Sequence, residues 1–340
     1  MKKTIKLTVK ILIGIILSAG LMYLTFRKTD LNALSKILKK SNLTLILAGA
    51  LVHMGSYFIM GFRTRQLLGK GLSWLKLSIT IMTGYIFNLV FFRLGDALRC
   101  YLVKDDYKAS HAFATLVVEK LNDTFIVLML AIVPVFSLSV IPTYIKKLLI
   151  IPFALFTLIL VVLIISIKFE KMQKAIIKGL SKLPFNRSLI NFYQGFNVKV
   201  KSFFERPLVF AAALIISCVL WAVYLIFFTL TVRGVGLNVS ISKMCFILGV
   251  TTIGMNIPVS VGFIGTFHYS FFLSSVAVGI DKNIAIAGGL ILHLSKVLGH
   301  AFMGGIGLMI QKFPDSKGVS GILKQIKNYK KNKSTSGEPQ

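Results

Sequence analysis

Asn88 to Asp123 reads NLVFFRLGDALRCYLVKDDYKASHAFATLVVEKLND, and it sets Arg93, Asp96, Arg99, Glu119, Lys120 and Asp123 among long apolar segments. A charged side chain at the centre of a spanning helix costs roughly 2.5–3.5 kcal/mol on insertion scales. So many charges in one apolar stretch require partners, water or a ligand. Glu119 and Asp123 are four residues apart and share a helix face. Arg93, Asp96 and Arg99 follow at intervals of three, an acid between two bases. A helix begun at His111 carries Glu119 about 12 Å along its axis, near the middle of a hydrocarbon core of ~30 Å. Two readings stand: an internal salt-bridge cluster that holds helices together, or a polar cavity that accepts a charged headgroup or ion. Ionisable groups at membrane depth default to function.

Composition decides the class. Hydrophobic residues make up 55% of the chain, charged residues only 15%, and the mean hydropathy is +0.79. Globular domains carry ~25% charged residues, so the chain reads as an all-α polytopic membrane protein. The apolar segments run from end to end, giving one membrane domain over 1–312 and a basic tail over 313–340. The tail composition predicts disorder. A net charge of +29 raises nucleic acid as a partner, but basic loops facing anionic lipid headgroups explain it better. Cys100, Cys218 and Cys245 have no zinc spacing and form no disulfide framework. No metal and no cofactor is expected.

Six segments read as spanning helices: 11–26, extended at its start by the basic run 1–10, then 43–62, 112–135, 148–167, 207–232 and 283–310. Two others are broken. The first has arms 77–92 and 97–103, with Asn88 in the first arm and Arg93-Leu94-Gly95-Asp96 at the break. The second has arms 244–255 and 267–279 around NIPVSVGFIGT, where Asn256, Pro258, Ser260, Gly262, Gly265, Thr266 and His268 gather. Pro ends a helix and Gly lets the backbone turn or approach a ligand. These arms are too short to cross, so each broken segment reads as a re-entrant hairpin, giving eight membrane elements. On the helix after the second break, His293, Lys296 and His300 share one face. Such residues are core residues or cavity lining.

Segments 1–10, 63–76, 168–206 and 312–333 carry most of the Lys and Arg, which puts both termini in the cytoplasm by the positive-inside rule. Residues 27–42 oppose that rule. Their pattern, capped by Asp30, predicts a short helix on the membrane surface. Spacing within 168–183 predicts a second surface helix. In this topology a hairpin followed by a charged helix occurs twice, entering from opposite sides. That is the layout of inverted-repeat transporters.

Two motifs carry a family resemblance. One is N-x4-R-x-G-D-x2-R at Asn88, Arg93, Gly95, Asp96 and Arg99, followed by E-K-x2-D at Glu119, Lys120 and Asp123; the other is P-x3-G-x2-G at Pro258, Gly262 and Gly265. In order and spacing they resemble the lysylphosphatidylglycerol synthase transmembrane family, also called the flippase-like domain family. Phe92 stands where members carry Pro, Asp96 replaces Glu, Lys120 replaces Arg, and His268 stands where members often carry Glu. The resemblance covers roughly 5–312. It implies movement of an anionic or modified phospholipid, or of a polyprenyl-phosphate lipid, between leaflets of the plasma membrane. Members often fuse this region to an aminoacyl transferase, and no such domain is expected here.

The headgroup site expected from motifs and residue chemistry comprises Asn88, Arg93, Asp96, Arg99, Glu119, Lys120, Asp123, Asn256, Pro258, Gly262, Gly265, His268, His293 and Lys296. Two alternatives remain. One is a non-transporting scaffold or lipid-delivery partner; on any reading the partners expected are membrane lipids, with a homo-oligomer or a membrane enzyme as further partner. The other is a glycosyl- or aminoacyl-transferase acting on a lipid carrier with Glu119 or Asp96 as base. The short loops disfavour the transferase, because they cannot hold its donor.

Overall fold

A computed structural model describes residues 2–27, 29–69, 71–90, 94–183, 186–256 and 261–311, with side chains except at 2–13, 90 and 261. Arg93, Pro258, Ser260 and the tail from 313 lie outside the described residues. All described secondary structure is helical. In chain order the helices are α1 (Lys2–Phe26), α2 (Leu31–Lys39), α3 (Leu43–Leu68), α4 (Trp74–Val90), α5 (Leu94–Leu102), α6 (Ala109–Ser137) and α7 (Thr143–Leu148). There follow α8 (Ile150–Lys168), α9 (Glu170–Leu180), α10 (Asn186–Phe204), α11 (Pro207–Gly234), α12 (Ile241–Met255), a 3-10 turn at Val261–Phe263, α13 (Thr266–Ala277) and α14 (Lys282–Ile310).

Four stretches are long and apolar enough to cross a bilayer: Leu43–Leu68, Thr143–Lys168, Pro207–Gly234 and Lys282–Ile310. The Thr143–Lys168 stretch keeps Ile151, Leu155, Leu158, Ile159 and Val162 exposed, as lipid contact would require. Helix α6 has 29 residues, about 44 Å, but its ionisable residues sit mid-helix.

Local chemistry accounts for five of the helix starts. The Asp30 carboxylate accepts from the backbone N–H groups of Asn32 and Ala33 and caps α2. Asn42 caps α3, Ser240 caps α12 and Asp281 caps α14 in the same way. Pro207 opens α11, where its missing N–H costs nothing. Helix α2 differs from its surface reading. It packs Leu34, with Ile37 and Leu38, against Ile286 and Ala287 of α14 and leaves Leu31 exposed. The expected surface helix in 168–183 is α9, with no buried residue. The rest of that loop is α10, which packs on α6 and sends the Lys199 ammonium to the Leu68 carbonyl at the end of α3, 3.3 Å away.

The packing is reciprocal. α4 pairs with α5, and α12 pairs with α13, each across a break. α6, which follows the first pair, packs on α12; α14, which follows the second pair, packs on α4. α3 and α11, each preceding a pair, run against one another. Gly249 on α12 meets the Ala131 backbone, and Gly307 on α14 meets Thr83 of α4, so each cross-packed pair closes on a glycine. The second break reaches α4: the turn at Val261–Phe263 packs on that helix, and a Cβ on Gly262 would lie 3.4 Å from the Leu89 carbonyl oxygen near its end.

Candidate functional site

A buried ionic cluster forms where α3, α5, α6 and α11 converge. Arg63, which the positive-inside reading assigned to a cytoplasmic loop, is inside helix α3 and only 2% exposed. Helix α3 continues to Leu68 because Tyr57, Met60, Thr64, Leu67 and Leu68 extend one buried face beyond Phe62. Arg63 donates from both terminal nitrogens to Asp123, at 2.5 and 3.2 Å, and also to the Ser217 hydroxyl at 2.8 Å. The indole N–H of Trp221 donates to the same carboxylate at 3.1 Å. Ser217 and Trp221 lie one turn apart on α11 and belong to the cluster, although neither stood out in an apolar segment.

Glu119 is 1% exposed. It accepts from Arg99 at 3.1 Å and from the Thr64 hydroxyl, with Arg63 3.9 Å away. Asp96 lies 4.0 Å from Arg99 and 3.8 Å from Lys120, whose side chain is more than one-third exposed. Arg63, Arg99 and Lys120 therefore balance Asp96, Glu119 and Asp123 in number. The predicted sharing of a face by Glu119 and Asp123 is present, because both approach Arg63. Asn88 bridges the first break by accepting from the Gly95 N–H at 2.8 Å. Beside the Arg99–Glu119 pair a cavity of about 20 Å³ is lined by Thr64, Thr80 and Thr115. It has room for about one water.

The second group sits across the breaks. His293 on α14 donates from Nε2 to the Gly262 carbonyl at 2.9 Å. His268 on α13 stacks edge-on to His293, with ring centroids 4.6 Å apart, and its buried Nδ1 has no hydrogen-bond partner. Lys296, one turn beyond His293, reaches Met255 Sδ at 3.3 Å and faces the rings of Phe263 and Phe267 at 5.4 and 5.6 Å. Phe263 has φ 62°, a left-handed conformation unusual for a bulky residue, and it follows Gly262 at φ 60°. Gly265, at φ 91°, opens α13 against the backbone of Ser18 in α1. Asn256 is exposed and donates to the Thr252 carbonyl at 3.0 Å.

An aromatic column joins the two groups. The Tyr57 hydroxyl bonds His300 Nδ1, and the rings of Tyr85 and His300 lie 4.9 Å apart. His53 of α3 contacts Tyr57, Tyr224, Phe227 and His300. The expected site residues within the described stretches thus fall into two groups, one mainly on α5 and α6 and the other on α13 and α14. Gly84 and Tyr85 of α4 link them. Among the described residues no group of His, Cys, Asp or Glu has metal-binding geometry.

A family model described as the Lysylphosphatidylglycerol synthase TM region matches residues 11–304. No curated protein and no solved structure gives a match.

Proposed function

The chain belongs to the lysylphosphatidylglycerol synthase TM region family, and from that membership we propose that it moves an anionic or modified phospholipid, or a polyprenyl phosphate, between membrane leaflets. The observation that supports this reading is the contact of the second helix break with the end of α4. The Val261–Phe263 turn rests on α4 beside Leu89, with the paired ions on one side and the histidines and Lys296 on the other. Broken helices that meet between charged groups suit a substrate path, because irregular backbone at depth needs protein or a polar cavity around it. In this reading both pairs α4–α5 and α12–α13 are re-entrant, six other elements span, and both termini face the cytoplasm of a cell with this protein in its plasma membrane. Movement of the two broken units relative to α6 and α14 would open the path on alternate sides.

The test is leaflet exchange in proteoliposomes, with labelled phosphatidylglycerol, an aminoacylated lipid and a polyprenyl phosphate supplied separately. The intact chain is expected to exchange one class. Glu119→Gln removes the charge that Arg99 and Arg63 share and is expected to slow that exchange by roughly two orders of magnitude, the rate equivalent of about 3 kcal/mol. Equal exchange by folded Glu119→Gln would remove the ionic cluster from the path. No exchange of any class by folded protein would favour a scaffold.

The scaffold reading has one supporting observation. Helix α9 keeps Lys171, Lys174, Lys178 and Met172 exposed, a basic and apolar surface suited to a membrane interface or a partner enzyme. Substitutions there that release a partner while exchange continues would separate the two roles.

A further inference from the structure

This inference rests on the transport reading and deepens it by naming where the phosphate binds. Among the described residues of the ionic cluster each base has an acid beside it. Arg63 is held by Asp123, Arg99 by Glu119, and Lys120 lies beside Asp96. An anion arriving there would have to displace a buried carboxylate, and the adjoining cavity holds no more than a water.

Lys296 is in the opposite state. Among the described residues no carboxylate lies within ion-pair distance of it. Its neighbours are the Met255 thioether and the faces of Phe263 and Phe267. A thioether is a weak acceptor and an aromatic face stabilises a cation only modestly. The ammonium has three N–H donors and one recorded hydrogen bond, to sulfur. Next to it His293 fastens α14 to the backbone of the second break through Gly262, and His268 leaves a buried ring nitrogen unpartnered. Residue 296 keeps part of its surface exposed, and a ligand would take the place of the Met255 thioether at the ammonium.

We infer that Lys296, with His268 and His293, is the phosphate-binding site, and that its ligand is a monoanionic phosphodiester such as the headgroup linkage of a phospholipid. One unmatched positive charge calls for one negative charge. A phosphodiester supplies that charge together with oxygens for the free ammonium donors. Lys binds phosphate as a compact point charge. The positive φ at Gly262 and Phe263 is then part of the site, because it turns the Phe263 ring toward Lys296 and offers the Gly262 carbonyl to His293.

The test is ligand-dependent thermal unfolding of the full chain in detergent. Short-chain phosphatidylglycerol is expected to raise the unfolding midpoint by about 2–4 °C, and diacylglycerol of the same chain length is expected to leave it unchanged. Lys296→Met should abolish the rise and Lys296→Arg should retain it. Lys296→Gln serves the same purpose as the Met variant if methionine does not pack. An equal rise with inorganic phosphate would keep the site and assign its anion to the soluble pool. A phosphatidylglycerol rise undiminished in both the Met and Gln variants would overturn the inference, as would a rise of equal size with diacylglycerol. Binding and transport fail separately in this design. A Lys296-dependent rise without leaflet exchange preserves the site and removes the transport reading; full exchange by Lys296→Met does the reverse.

Discussion

Arg63→Met is expected to destabilise the folded chain by roughly 3–5 kcal/mol, the usual cost of removing one partner from a buried ion pair. The guanidinium neutralises Asp123 and approaches Glu119, and it also satisfies Ser217. Without it three carboxylates face Arg99 and the half-solvated Lys120. Methionine nearly fills the same volume, so the loss would come from charge rather than from a cavity. Arg63→Met with Asp123→Asn should recover most of the loss, since removal of a whole buried pair is often close to neutral. Unfolding in detergent, measured on the two single variants and the double variant, gives the coupling directly. A single variant as stable as the parent would show that Asp123 is solvated in the folded chain.

Gly95→Ala carries the second large effect. A methyl group at Gly95 would overlap the Gly84 carbonyl and lie 2.8 Å from Asn88 Oδ1. Both contacts are with α4, so α4 and α5 must separate. Over-packing costs about 1–3 kcal/mol and occasionally more. Separation also reaches the ionic cluster. Arg99 is one turn beyond Gly95 and its stem packs over Gly84, so a displaced α5 draws the guanidinium away from Glu119. Leaflet exchange should then fall by about 100-fold, the typical consequence of misplacement by ~1 Å at a working site. Gly179→Ala on α9 is the matched control. Nothing lies within 4 Å of the added atom, and neither stability nor exchange should fall.

Much of the architecture can be read from the residues. The breaks near Arg93 and Pro258 follow from Gly, Pro and charge in apolar segments, and the cap at Asp30 follows from side-chain chemistry, while those at Asn42, Ser240 and Asp281 emerged only with the structure. Arg63 was misplaced because Phe-Arg-Thr-Arg resembles a basic loop entry. The contrary signal was present in the spacing of Tyr57, Met60, Thr64 and Leu67, which extends the helix past the basic residue. Ser217 and Trp221 were less accessible. In an apolar span a serine and a tryptophan need no partner until a carboxylate from another helix arrives, and that pairing is purely tertiary. Asn256 donates to the Thr252 carbonyl of its own helix.

The pairing of α4 with α14 also constrains how the chain assembles. Almost 200 residues separate the end of α4 from the start of α14. At synthesis rates of 5–20 residues per second, α4 waits roughly 10–40 s for its partner. During that interval Thr83 and the face that will receive Gly307 are uncovered in the bilayer, and α6 likewise lacks α12. Neither half can reach its final packing alone. The newborn first half therefore carries uncovered packing faces until its partners are made, and a ribosome that stops short of α14 leaves a fragment without its closing helix.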